Sequence, residues 1–210
     1  MAEKPTIECA ENGPYLVKNL VQLQNSKGES LETKPVIALC RCGKSENKPF
    51  CDGTHSRIGF TGAAENDGSN DKRDTYQGQK ITIHDNRSIC AHAGFCTDNL
   101  ASVFRLKQEP WIYPDAADGQ AIVEVIRKCP SGALSYTIED VEYTDSDHNS
   151  AVTIAPNGPY VITGDIDLQD MPRGEGAVQG QCTLCRCGGS KNKPFCDGSH
   201  WSNDFKDEMN

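Results

Sequence analysis

The sequence predicts an α+β fold, in which two small β-rich units of one pattern flank a third module that mixes strands with helix. Three observations point there. One stretch recurs at a constant offset of 145 positions, with Cys40 returning as Cys185, Cys51 as Cys196 and His55 as His200. The segment between the copies carries apolar residues at helical spacing, which the copies lack. Finally, hydrophobic residues make up only 36% of the chain while cysteine reaches 11. Such a chain is expected to rest on small modules stapled by metal rather than on one large apolar core.

The copies come first. Residues Tyr15–Leu23 and Tyr160–Leu168 alternate apolar side chains behind the turn signals Asn12-Gly13-Pro14 and Asn157-Gly158-Pro159. Pro35–Leu39 is a further short strand candidate. The segment after each C-x-C pair is dense in Gly, Lys, Asn and Pro and reads as a loop ending in a helical turn. The match reaches about 30 residues upstream of each cysteine pair, so a whole structural unit is duplicated. The expected organisation is a first unit over 1–64, a polar linker over 65–75, a middle module over 76–144 and a second unit over 145–210.

The middle module follows another pattern. Lys80–His84 is a strand candidate, and Thr97–Phe104 a short helix with Thr97 or Asp98 near its cap. Asp118–Lys128 places Ala121, Ile122, Val125 and Ile126 on one helical face, Cys129-Pro130 ends it, and Ala133–Tyr136 returns as a strand.

Composition limits the function. A net charge of −9 disfavours nucleic acid and anionic membrane as partners. The opening stretch Met1–Pro14 is polar, and no apolar run of about 18 residues could span a membrane. The expectation is a soluble, cytoplasmic chain with reduced thiols, where clustered cysteines bind metal. An odd number of cysteines also cannot all pair within one chain.

In each copy the ligand candidates are C-x-C, eight residues, then C-x3-H: Cys40, Cys42, Cys51 and His55, then Cys185, Cys187, Cys196 and His200. Spacing alone fits structural zinc as well as an iron–sulfur cluster. The segments Cys51-Asp52-Gly53-Thr54-His55 and Cys196-Asp197-Gly198-Ser199-His200, with Ser45 and Ser190 between the cysteine pairs and the prolines, resemble the CDGSH iron–sulfur domain family. The resemblance covers about 12–57 and 157–202. It implies one [2Fe–2S] cluster per motif, with Cys40 and Cys42 on the inner iron and Cys51 and His55 on the outer, repeated by Cys185, Cys187, Cys196 and His200. Members of the family pair two protomers, so two units on one chain imply an intrachain pseudo-dimer, with a homodimer as the other arrangement. An imidazole in place of one thiolate makes the site less negative and easier to reduce. It also introduces a ligand that protonates in mild acid.

The middle module offers Cys90, Cys96 and the remote Cys129-Pro130. Bacterial ferredoxins use C-x2-C-x2-C with a distant Cys-Pro, and residues 76–144 resemble divergent single-cluster ferredoxins. The second cysteine of that run is replaced by Ala93. Three thiolates favour [3Fe–4S]; His92 as a fourth ligand would give [4Fe–4S]. Cys9 and Cys182 receive no role, since the twin of Cys182 is Ile37. Lys48 and Lys193 read as solvated, and Trp111, Tyr113 and Trp201 as packing residues.

No nucleophile–base pair or phosphate loop appears, so the chain is not expected to be an enzyme. The leading expectation is one-electron transfer to or from a redox protein. The alternatives are cluster storage or transfer to an apo-acceptor, and redox or iron sensing.

Overall fold

A computed structural model describes residues 3–144 and 147–208; the chain ends and the expected 144/145 unit boundary lie outside the described residues. The first unit contributes strands β1 (Thr6–Cys9), β2 (Tyr15–Lys18), β3 (Leu23–Gln24) and β4 (Val36–Leu39), then helix α1 (Thr54–Arg57). The middle module follows with β5 (Arg73–Gln77), β6 (Thr82–Asn86), α2 (Phe95–Asn99), α3 (Gly119–Ile126), β7 (Leu134–Ile138) and β8 (Val141–Tyr143). The second unit repeats the first, with β9 (Ala151–Ile154), β10 (Tyr160–Thr163), β11 (Asp167–Leu168), β12 (Gln181–Leu184) and α4 (Ser199–Ser202).

The sheets show how the copies combine. The first runs β11-β1-β2-β4, the second β12-β10-β9-β3, and the third β5-β6-β7-β8. Each copy therefore gives one short strand to the other's sheet. Leu23 pairs in parallel with Val152, and Leu168 with Ile7. The apolar runs Tyr15–Leu23 and Tyr160–Leu168 are thus not single strands. Each breaks after four residues and ends in the opposite sheet, as β3 and β11.

The exchange follows from burial. One core contains Ile7, Tyr15, Val17 and Leu23 from the first unit with Val152, Ile154, Tyr160 and Leu184 from the second. A unit of this size buries too little apolar surface alone, and two units sharing a core bury more. Tyr15 and Tyr160 meet edge to face at its centre, with ring centroids 6.0 Å apart.

The middle module has its own core of Ile81, Ile83, Phe104, Ile122, Val125 and Leu134 beneath α3. Asp118 caps that helix by accepting from the Gln120 N–H. The strand expected at Lys80–His84 lies two residues later, and the helix expected over Thr97–Phe104 covers only Phe95–Asn99. There the Asn99 amide donates back to the Phe95 carbonyl and the chain turns at Leu100. The polar segment read as a linker is a clamp. Glu65 and Asn66 donate to the Lys191 carbonyl, and Asp71 accepts from Asn86, Ser88 and the Glu175 N–H. Arg73 and Asp74 already belong to β5. Among the described residues no helix is long and apolar enough to cross a membrane.

Leu23 is 1% exposed and lies in the second unit's sheet. Leu23→Ala is expected to cost about 2–5 kcal/mol and to destabilise both copies together. Trp201 fluorescence in a Trp111→Phe background, followed through urea unfolding, should therefore report a lowered midpoint although Trp201 belongs to the other copy.

Candidate metal centres

Each ligand loop is a strand end folded back on itself. After β4, Cys40 donates its N–H to the Pro49 carbonyl at 2.7 Å and Cys51 donates to Ala38 at 2.8 Å. After β12, Cys185 donates to Pro194 at 2.8 Å and Cys196 to Thr183 at 3.0 Å. The third cysteine is thereby brought beside the first two. Ser45 and Ser190 pin the loops from inside, each donating its hydroxyl to the carbonyl of Phe50 or Phe195 and accepting from the N–H of Asn47 or Asn192. Lys48 and Lys193, read from sequence as solvated, are fastened to the carbonyls of Ser45 and Ser190, and Lys193 is buried.

The last turn sets the histidine. Asp52 accepts from the Thr54 and Glu46 N–H groups, and Asp197 accepts from Ser199 and Lys191. The Glu46 and Thr54 amides hold the Asp52 carboxyl well below its usual range. Against the cost of burial, the bonds from Ser199 and Lys191 lower Asp197 as well. Gly53 and Gly198 both sit at φ +85, a left-handed conformation that favours glycine. One residue into the short helix, His55 and His200 turn Nδ1 toward the third cysteine.

The donors are arranged two by two. Cys40 and Cys42 place their sulfurs 3.8 Å apart, as do Cys185 and Cys187. Cys51 Sγ lies 3.3 Å from His55 Nδ1, and Cys196 Sγ 3.4 Å from His200 Nδ1. With metal–sulfur bonds of about 2.3 Å, two thiolates on one tetrahedral metal lie about 3.8 Å apart, and a thiolate and an imidazole about 3.6 Å. Each pair therefore has the spacing of two ligands on one metal. Burial pushes the Cys42 thiol up to about 11 and the Cys196 thiol to about 12. The hydrogen bond with Cys185 lowers Cys187 to about 6, so metal binding releases protons from Cys42 and Cys196 and finds Cys187 already inclined to the thiolate.

The two sites touch. A Cβ added to Gly43 would collide with the Cys187 carbonyl, and one added to Gly188 with that of Cys42. Tyr15 donates its hydroxyl to the carbonyls of Cys185 and Pro194, both at 2.9 Å, while Tyr160 reaches Cys40 at 2.9 Å and Pro49 at 3.0 Å. Each loop is thus held by the opposite unit. The tyrosines are visible in the repeat, but nothing in a linear sequence tells that their hydroxyls cross.

In the middle module Cys90, Cys96 and Cys129 line one cavity of about 240 Å³ together with His92 and Phe95. The Arg87 guanidinium donates to Cys90 Sγ at 3.7 Å and lies 3.9 Å over the Trp111 ring. Burial pushes the Cys90 thiol up to about 11. Cys9 lies beside the Met171 sulfur at 3.8 Å, and Cys182 is buried in the shared core. His84 is tied to Thr75 and Thr137. Trp201, expected to pack, is 66% exposed beside the second site.

Comparison with known proteins places the two repeated segments and the middle module in known families. Residues 12–56 and 157–201 match the family described as iron-binding zinc finger, CDGSH type. Residues 76–139 match the family described as divergent 4Fe-4S mono-cluster. The chain is also 48% identical over 61 residues to the uncharacterized protein YjdI of Escherichia coli strain K12, covering 29% of this chain and 80% of that protein. The YjdI of Escherichia coli O157:H7 matches to the same extent.

Tyr15→Phe removes two crossing bonds; the Pro194 carbonyl keeps the Cys185 N–H, and the buried Cys185 carbonyl loses its Tyr15 partner, at a cost of about 1–3 kcal/mol. Amide hydrogen exchange should quicken at Cys185 and Cys196, in the opposite unit, while Cys40 and Cys51 in the same unit keep their protection.

Proposed function

Because this chain belongs to the iron-binding CDGSH family, with two units of that type flanking a divergent 4Fe-4S mono-cluster module, we propose that it is a one-electron carrier with three iron–sulfur sites. The observation that carries this reading is the contact between ligand loops, backbone to backbone, at Gly43–Cys187 and Gly188–Cys42. Electron tunnelling needs redox centres held close in a rigid matrix, and a structural metal does not need a neighbour. Donors arranged in pairs favour two irons per CDGSH site over a single zinc. Cys40 and Cys42 would hold one iron and Cys51 and His55 the other, with the same division at Cys185, Cys187, Cys196 and His200. When bound, such clusters accept and release one electron. The protein's own groups fix the ligands, bury Cys40, Cys42 and Cys185, and supply the surrounding charge.

At the central site Cys90, Cys96 and Cys129 would hold a [3Fe–4S] cluster. His92 also lines that cavity, which favours [4Fe–4S] as the second form. A redox protein is the proposed partner, and the chain is proposed to act in the cytoplasm as a monomer whose two units replace a protomer pair. Cluster donation to an apo-acceptor is the second functional reading. It is favoured by the half-exposed Cys51 and His55.

Two [2Fe–2S] sites and one [3Fe–4S] site predict about seven iron atoms per chain, against about eight with [4Fe–4S]. EPR should show a three-iron signal as isolated and a two-iron signal after reduction; a colourless zinc protein would end the proposal. Fast reduction by a ferredoxin or flavin reductase with slow transfer to apo-ferredoxin is expected, and the opposite ranking would favour donation. If His lability drives donation, His55→Cys with His200→Cys should suppress it.

The pH response follows from His200. Burial lowers its pKa, so the folded protein binds fewer protons there than the unfolded chain. The stability contribution is complete above about pH 6.5 and is lost as pH falls toward the folded value. Acid is therefore expected to bleach the second site only below about pH 6.5, followed as a loss of visible absorbance in a pH titration.

A further inference from the structure

The two CDGSH units are copies of one another, yet three features of their surroundings differ. The first is charge. Arg41 and Arg186 occupy the same place between the first two cysteines, both buried, each over its own unit's tyrosine ring at 5.4 and 5.6 Å. Arg186 is ion-paired with the buried Asp207 and donates to the carbonyls of Gly158 at 2.8 Å and Ala155 at 3.1 Å. Arg41 donates to the carbonyl of Gly62 at 2.8 Å, and its Nε has no partner. Gly62 is the twin of Asp207 at the offset of 145. Among the described residues no carboxylate lies within ion-pair distance of Arg41. A buried positive charge without a carboxylate partner is thus carried by the residue between Cys40 and Cys42, where the second unit has a neutral pair.

The second difference is contact. The His92 ring fills the space that a side chain at Gly198 would occupy, at 3.0 Å from its Cδ2, and Trp201 donates its indole N–H to the His92 carbonyl at 3.3 Å. The same space at Gly53 is open. Asn192 and Gln181 of the second unit also donate to Ser88 and Cys129 of the middle module, at 2.9 and 2.6 Å. The third difference is exposure: Cys196 and His200 are buried under this contact, while Cys51 and His55 are half-exposed.

From these differences we infer that the chain is a one-way relay, running from the central site through the second CDGSH site to the first, where electrons leave. The inference rests on the electron-carrier reading. A low-potential one-electron donor, such as a reduced ferredoxin or flavoprotein, gives one electron at the central site. A one-electron acceptor protein takes one electron at Cys51 and His55. Each site returns to its starting oxidation state, and no bond forms or breaks. An unneutralised cation stabilises an added electron, most strongly where water does not screen it. Arg41 therefore raises the potential of the first site above that of the second and draws the electron forward.

The test is an EPR-monitored redox titration of the full chain in wild type, Gly62→Asp and Gly62→Asn. Gly62→Asp recreates the second unit's ion pair in the first. The nearest atoms to the added Cβ are those of the Arg41 guanidinium, the far end of a flexible side chain, with Nη1 at 2.5 Å. The wild-type two-iron signal should grow in two steps. Gly62→Asp should lower the upper step toward the lower one, while Gly62→Asn, of equal bulk and no charge, should leave the steps apart. When the central site is paramagnetic, the lower-step signal should relax faster than the upper. A single wild-type step, an upper step unmoved in an iron-replete Gly62→Asp protein, or equal relaxation would overturn the relay order. Absence of any reducible signal would instead remove the electron-carrier reading.

Discussion

Two tyrosine hydroxyls cross between the copies, and the metal centres depend on that crossing. Tyr15 holds the ligand loop of the second unit and Tyr160 that of the first. The rings meet at the centre of the shared core, and each hydroxyl adds bonds from the opposite unit to those each loop makes with its own. The exchanged strands β3 and β11 act in the same sense, since each sheet is completed by the other copy. Stability of either site is thus a property of the pair. A small unit with little apolar surface of its own gains rigidity from duplication.

The glycines at the junction follow from the same constraint. Gly43 and Gly188 carry positive φ, and each lies against a cysteine carbonyl of the other loop. Any side chain there would push the sites apart. Gly53 and Gly198 serve another need, the left-handed turn that starts the histidine helix.

The middle module breaks the symmetry that duplication creates. It is docked on the second unit through the 65–74 clamp, Asn192, Gln181 and Trp201. One CDGSH loop is covered as a result, and the other stays open. Identical ligand motifs therefore differ in burial, in the charge beside them and in what they can reach. A copied sequence acquires two roles when its two copies meet different neighbours.

The ligand motifs and the mixed character of the middle segment were legible in the sequence because each is local, and the duplication because its copies keep one constant offset. A C-x-C pair, a C-D-G-[ST]-H turn and a helical stripe of Ile122, Val125 and Ile126 are written within a few residues of one another. The strand exchange was not legible. Leu23 and Leu168 have the same apolar signal whether they pair within their unit or across it, and only the shared core selects the second. Nor could the sequence place Lys193, the 65–74 segment or Trp201, whose partners or exposure depend on elements far along the chain. The repeat aligned Gly62 with Asp207 as a plain mismatch. Tertiary structure made that mismatch a charge difference beside two metal centres, because only folding brings each residue to its buried arginine.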